Sequence, residues 1–323
     1  MAGVPCRARR ECVSVIRRIT SDAALVALAS EWAALWRAAP ATPFAHPAWL
    51  LPWWRQFGTG RPHVAVRDDA VLALYEYQGR LLPIGAGTTD TCDMLGTDPA
   101  PLLAALLDDR PAELLAVPPT SPLRAVTVPP GWAIAWQDAD TCPALPLPST
   151  MDALLATVPA MARKLRMNQN RAARAGGITI RTATPDTLAD DMATLIRLHQ
   201  ARWLAQGEAG TLSDPFVLAF HADSAPLLLR AGLLRVGVLA VDGAAAAAIY
   251  ALLSPGRIHF YLSGFDAVLA FVSPGSLLLA AMLEQAIGEG RHEADFLRGR
   301  EAYKYAWGAI DRISAQARIM PVL

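Results

Sequence analysis

The densest chemistry in this 323-residue chain lies near its end. A short strand is expected over 292–297, and its C-terminal side is crowded with Arg298, Arg300, Glu301, Tyr303 and Lys304. Ionisable groups gathered at a strand end are the usual material of proton transfer and anion binding. Upstream, Ser273-Pro274-Gly275-Ser276 opens an amphipathic helix, Leu277 to Ile287, that stops at Gly288 and Gly290. A helix start leaves backbone N–H groups unpaired and carries partial positive charge, so it can seat an anion such as a pyrophosphate. The small side chains would let that group approach, and Pro274 suits a first turn whose N–H is unpaired anyway. The same four residues also read as plain capping. Before them the alternating run Arg257 to Leu262 reads as a strand, broken at Ser263-Gly264-Phe265-Asp266. The whole is a strand-helix-strand unit whose loops carry its polar groups.

Composition sets the frame for this unit. Hydrophobic residues are 53% and charged ones 18%, so a large core is available, and the length allows two domains. With 29 basic against 29 acidic residues, no net charge argues for nucleic acid or an anionic membrane, and partners must be sought in local sites. The cysteines Cys6, Cys12, Cys92 and Cys142 show neither metal-ligand spacing nor a disulfide framework, so no metal and a reducing cytoplasm are expected. Residues 1–20 carry several arginines without the apolar run of a secretory signal and read as a flexible leader. No run is long enough to span a bilayer.

Along the chain, Ser21-Asp22 caps a helix to about Ala38 with an apolar stripe, and the Trp-dense stretch from Phe44 to Trp54 reads chiefly as core packing. Three short strand-like runs over 64–86 suggest an antiparallel meander. The proline-rich stretch 142–150 reads as a linker between lobes at 21–141 and 151–323. A basic helix follows over 160–175, where Arg166 and Arg171 belong to a face that is either solvated or grips a phosphate-bearing substrate. A long helix over 186–206 carries His199, Arg202 and Trp203 at three- and four-residue spacing, which shares one side. Two strands joined by Asp242-Gly243 form a hairpin and, with the Arg257 strand, an antiparallel triplet.

This order is that of an acyl-CoA N-acyltransferase lobe. F-A-H-P-A-W-L-L-P-W-W, A-R-K-L-R-M-N-Q-N-R-A-A-R-A-G-G, L-H-Q-A-R-W, Y-L-S-G-F-D, S-P-G-S-L-L-L and D-F-L-R-G-R-E-A-Y-K-Y-A-W-G together resemble the CelD-type GNAT acetyltransferases over about 44–308. The resemblance implies an α/β protein of two tandem GNAT-like lobes with mixed central sheets, similar in plan to the FemABX peptidyltransferases. It departs from the family in two places. Between Asp266 and Ser276 only Gly275 is a glycine, and Arg298-Gly299-Arg300-Glu301 stands where Arg-Gly-Asp-Glu is usual.

What the resemblance implies is transfer of an acetyl or longer acyl group from acetyl-CoA, or another acyl-CoA, to an amine or hydroxyl of a small-molecule or glycan acceptor. The strand end at Tyr261 and Leu262, with Ser273, Gly275 and Ser276, would hold the donor. Asp295 or Glu301 would be the base, and Tyr303 or Tyr305 the acid that protonates the leaving thiolate. Arg298 and Lys304 would hold an anionic acceptor, with Arg166, Arg171, His199, Arg202, Trp203 and Asp266 around it. Two rival readings follow from the same plan: an aminoacyl transferase fed by aminoacyl-tRNA, and a non-catalytic scaffold in polysaccharide synthesis.

Overall fold

The computed structural model describes residues 15–39 and 41–322. In the first lobe β1 (Arg17–Ile19) leads to α1 (Asp22–Ala27), α2 (Ala29–Ala38) and α3 (Pro47–Phe57). Strands β2 (Pro62–Arg67), β3 (Ala70–Tyr77) and β4 (Arg80–Pro83) form the expected meander, followed by α4 (Ala100–Leu107), β5 (Ala112–Val117) and β6 (Trp132–Thr141). The second lobe contains β7 (Ala144–Pro146), α5 (Met151–Thr157), α6 (Pro159–Arg174), β8 (Ile178–Thr182), α7 (Leu188–Leu204) and α8 (Pro215–Arg230). It continues with β9 (Leu234–Val241), β10 (Ala244–Ser254), β11 (Arg257–Phe265), α9 (Pro274–Gly288), β12 (Glu293–Asp295) and α10 (Ala302–Ala306), and β13 (Ile313–Pro321) closes the chain. The β9–β10 turn places Asp242 and Gly243 at φ 48° and 77°, the left-handed pair that a two-residue hairpin requires.

The sheets do not respect the boundaries expected from sequence. One runs β1-β2-β3-β4-β5-β13-β6 and the other β7-β12-β11-β10-β9-β8. Residues 144–146, inside the expected linker, pair with β12, because a proline can sit at a strand end where its missing N–H is not needed. The last strand, placed by sequence in the second lobe, sits between β5 and β6 of the first. Part of the expected leader is also ordered into a sheet: Arg17, Arg18 and Ile19 pair with Val66, Ala65 and Val64. The rest of that leader, residues 1–14, lies outside the described residues.

Each sheet repeats one plan, three antiparallel strands, a helix, and a strand parallel to the third. Strands β4 and β5 make one parallel pair, β11 and β12 the other. The gap beyond each parallel pair has opposite fates. In the first lobe it is plugged by its own loop, where the Cys92 N–H donates to the Ala116 carbonyl at 3.1 Å and only voids of about 10 Å³ remain. In the second it stays open.

One core joins the lobes. Trp49 of α3 is buried edge-on to Phe220 of α8 at 4.8 Å and to Tyr261 at 5.1 Å between ring centres, and Trp53 is buried against Phe57 and Tyr75. The tryptophans are packing residues, and Trp49 packs across the lobe boundary. On the same face of the second sheet, α7 lies so close to β11 that a side chain at Gly264 would come within 2.4 Å of the His199 backbone nitrogen. Backbone cannot yield as a flexible side chain can, so Gly264→Ala is expected to destabilise the protein by about 2–3 kcal/mol, read as a lower denaturant midpoint at unchanged slope.

Candidate functional site

The site is created where β11 and β12 separate. Their ladder runs through Arg257/Glu293, Ile258/Ala294 and His259/Asp295 and then stops. Strand β11 continues to Phe265, while after Asp295 the chain turns off and the Phe296 N–H donates to the Pro143 carbonyl at 2.9 Å. A register shift against β10 falls at Tyr261, which is the extra residue on β11. Bulges of this kind re-aim side chains and are common beside functional clefts. The result is a cavity of about 600 Å³ lined by residues 260–265 of β11, Gly275 and Ser276 of α9, His199, Arg202 and Trp203 of α7, and the segment 296–304.

The turned-off segment is held by a buried cation. Leu297 and Gly299 both have positive φ, 56° and 105°, and the Lys304 ammonium collects the carbonyls they leave. Lys304 Nζ donates to Arg298 O at 2.7 Å and Gly299 O at 3.1 Å, with Glu301 at 2.8 Å. Its three donors are thereby committed, so Lys304 shapes the cavity wall and does not grip an acceptor as the sequence suggested. Glycine suits position 299 because its φ of 105° is a backbone conformation that side chains disfavour. Arg298 is also committed. Its Nε donates to Asp90 Oδ1 at 2.6 Å and Nη2 to Gly87 O at 3.3 Å, tying the first lobe to the second. Burial raises the Asp90 carboxyl against the pull of this guanidinium. The Tyr261 hydroxyl adds a third tie, donating to Thr88 O at 2.8 Å.

The other nominated residues divide. Glu301 and Tyr303 line the cavity, as do Tyr261, Leu262, Gly275, Ser276, His199, Arg202, Trp203 and Arg298. Burial, and secondarily the Glu301 carboxylate, push the Tyr303 phenol up to about 12, so it stays protonated at neutral pH. Asp295 is not a base facing the cavity: it is turned beneath the loop, accepting from the Leu297 N–H at 2.8 Å and lying 3.4 Å from His259 Nδ1. Burial works to raise that carboxyl, but its bonds to His259 and Leu297 outweigh it and hold it below the usual range. Tyr305 points away, donating to Asp311 at 2.7 Å on the surface. Ser273, with φ 49°, turns its hydroxyl to Ala270 O at 3.4 Å, and Asp266 accepts from the Val268 N–H at 2.9 Å, so both serve the turn. Arg166 and Arg171 lie on α6 outside the cavity, with Arg171 Nη1 donating to Phe271 O at 3.0 Å.

Two features were missed by sequence reasoning. Asp90 lines the cavity from the first lobe, 208 positions away from its partner, and no local pattern signals it. Behind the α7 wall lies a buried polar group: both nitrogens of His221 and His199 Nδ1 have no hydrogen-bond partner, and the Tyr250 hydroxyl and Ser224 Oγ are buried with them. The Trp203 indole donates to His199 Nε2 at 2.9 Å, so a neutral His199 carries its proton on Nδ1. Arg202 keeps its guanidinium against Phe265, 5.0 Å from the ring centre, with Nε buried and unpartnered. No group of three or more metal-ligating side chains occurs among the described residues.

Comparison with known proteins follows this geometry. Residues 160–305 match the family model described as an acetyltransferase (GNAT) domain, a span that includes β11, β12 and most of the residues that line the cavity. A search of curated protein sequences finds no match. Among solved structures, FemX superposes with a TM-score of 0.62 at 12% identity, covering 89% of this chain and 95% of that one. A conserved protein of unknown function from Bacteroides thetaiotaomicron gives 0.63 at 15% identity, covering 94% and 100%. The C-terminal domain of a proposed lysylphosphatidylglycerol synthetase from Agrobacterium fabrum gives 0.59 at 15%, covering 92% of each chain. At such identities the likeness is one of fold, two tandem GNAT-like lobes with mixed sheets.

Two outcomes test this description. Lys304→Met is expected to cost about 3 kcal/mol, because it strands the buried carbonyls that the ammonium collects; denaturant unfolding measures it, and an unchanged midpoint would mean the loop holds itself. The second concerns pH. Burial lowers the His221 imidazole to about 3, so the folded state stays unprotonated where the unfolded chain binds a proton. Its contribution is full above the ordinary histidine pKa and is lost as pH falls below it, about 2 kcal/mol by pH 5. His221→Phe should therefore flatten the fall in melting temperature between pH 7 and 5.

Proposed function

We propose that this chain is an acyltransferase that takes an acyl group from the pantetheine thioester of acetyl-CoA or a longer acyl-CoA and passes it to an amine or hydroxyl. The observation that carries this reading is the parting of β11 from β12 in a GNAT domain, which leaves the 260–265 edge without a strand partner beside an open cavity. An exposed strand edge offers amide and carbonyl groups at the spacing a pantetheine arm can use. The N–H of Gly275, at the start of α9, and the neighbouring Ser276 suit the donor's phosphates, with the Arg202 guanidinium facing the same cavity. The turn contributes less than a glycine-rich loop would, since Pro274 has no N–H and the Ser276 N–H is bonded back to Ser273 O at 3.0 Å.

In this reading Glu301 accepts the proton of the attacking amine or hydroxyl, and the Lys304 ammonium at 2.8 Å fixes where the carboxylate sits. Tyr303, protonated at neutral pH, gives its proton to the departing thiolate. The bond formed is acceptor to acyl carbon, and the bond broken is acyl carbon to sulfur. The acceptor is a small molecule or glycan of the kind the CelD-type resemblance suggests. The fold shared with FemX makes aminoacyl-tRNA the donor to test against acyl-CoA.

Thermal shift with acetyl-CoA, a long-chain acyl-CoA and aminoacyl-tRNA separates these donors. Stabilisation by an acyl-CoA is expected; stabilisation by aminoacyl-tRNA alone sinks the donor assignment, and stabilisation by none favours a scaffold. Once an acceptor is in hand, Glu301→Gln and Tyr303→Phe should each lower kcat by roughly 100-fold or more while leaving donor binding unchanged.

A further inference from the structure

Helix α6 contains five basic residues, Arg163, Lys164, Arg166, Arg171 and Arg174, and no acidic one. All five are exposed, and none has a carboxylate at ion-pair distance among the described residues. The helix buries Met161, Leu165, Asn168 and Ala172 as one stripe. At 100° per residue, Lys164, Arg171, Met167, Arg174 and Arg163 then follow one another as a continuous arc beside that stripe. Along this arc lies the 3-10 helix Ala267–Val272, fastened by the Arg171 bond to Phe271 O at 3.0 Å. Val268 and Phe271 are three apart, the repeat of a 3-10 helix, so they project together. They are 84% and 53% exposed, and Met167, within the arc, is 43% exposed.

Large apolar side chains projecting from a turn, with exposed cations along the neighbouring α6, match the interface of an anionic bilayer, where the apolar groups enter the headgroup boundary and the cations meet lipid phosphates. A folded acidic protein or a nucleic acid would satisfy the cations but offers no medium for two isolated projecting side chains. The same 3-10 helix leads through Ser273 into Gly275 and Ser276 at the cavity. We infer that the α6 and 267–272 surface docks this protein on membranes containing anionic phospholipid, bringing the cavity to the interface. This goes beyond the transferase reading and does not depend on it.

The test is sedimentation of the full chain with vesicles of phosphatidylcholine alone and of phosphatidylcholine with one-third phosphatidylglycerol. Binding is expected on the anionic vesicles, weakening with added salt. The triple charge reversal Lys164→Glu, Arg171→Glu, Arg174→Glu should lower affinity by roughly 100-fold or more, and Val268→Ser with Phe271→Ser should lower it by roughly tenfold or more. Arg163→Glu with Arg174→Glu, neither of which bonds the 3-10 helix, guards against a folding defect and should weaken binding too. No binding to anionic vesicles overturns the proposal. So does binding that ignores the charge variants, or binding that survives the apolar pair and is displaced by bulk tRNA, which would identify a nucleic-acid surface.

Discussion

Two parallel strands that fail to stay together are the constraint from which the rest of this molecule follows. The β11–β12 ladder ends at His259 and Asp295, and the chain beyond Asp295 is held away from β11, with the Phe296 N–H donating to the Pro143 carbonyl. Asp295 accepts the Leu297 N–H, Leu297 and Gly299 take left-handed backbone, and the Lys304 ammonium collects the carbonyls that this geometry releases. A buried cation is costly unless its hydrogen bonds are complete, and here they are. The open cleft is therefore a built feature of the chain and not a packing failure.

The first lobe acts as a brace for the second. Its own cleft, between β4 and β5, is filled by the loop that carries Cys92, so it has no room for a ligand of the same size. The same loop extends Asp90 and the carbonyls of Gly87 and Thr88 into the second lobe, where Arg298 and Tyr261 meet them. With Trp49 packed against Phe220 and Tyr261, and β13 threaded back into the first sheet, the lobes cannot move apart without losing core contacts. A shared apolar core of this kind makes the pair one cooperative unit.

Charge is distributed on the same principle of local use. A chain that is neutral overall still places five exposed cations on α6, while the cations of the cavity, Arg298 and Lys304, are spent on structure. Arg202, resting on Phe265, is left to face the cavity. Net charge speaks to the whole surface and is silent about such a patch.

Local patterning in the sequence determined much of this protein: the hairpin at Asp242-Gly243, the antiparallel triplet, the helix entered at Pro274 and the GNAT-like order of elements are all encoded within a few residues of where they occur. The second-lobe cavity residues Glu301, Tyr303, Arg202 and Trp203 were legible because strand-end and helix-face spacing is short-range information. Only the tertiary structure decided that Lys304 and Asp295 are spent on the loop and that Tyr305 faces outward. It alone placed Asp90 in the cavity, β7 and β13 in their sheets, and Val268 beside the basic arc. Those outcomes depend on which backbone carbonyls a distant turn leaves unpaired and on contacts between residues hundreds of positions apart, and neither leaves a periodicity that a single chain can display.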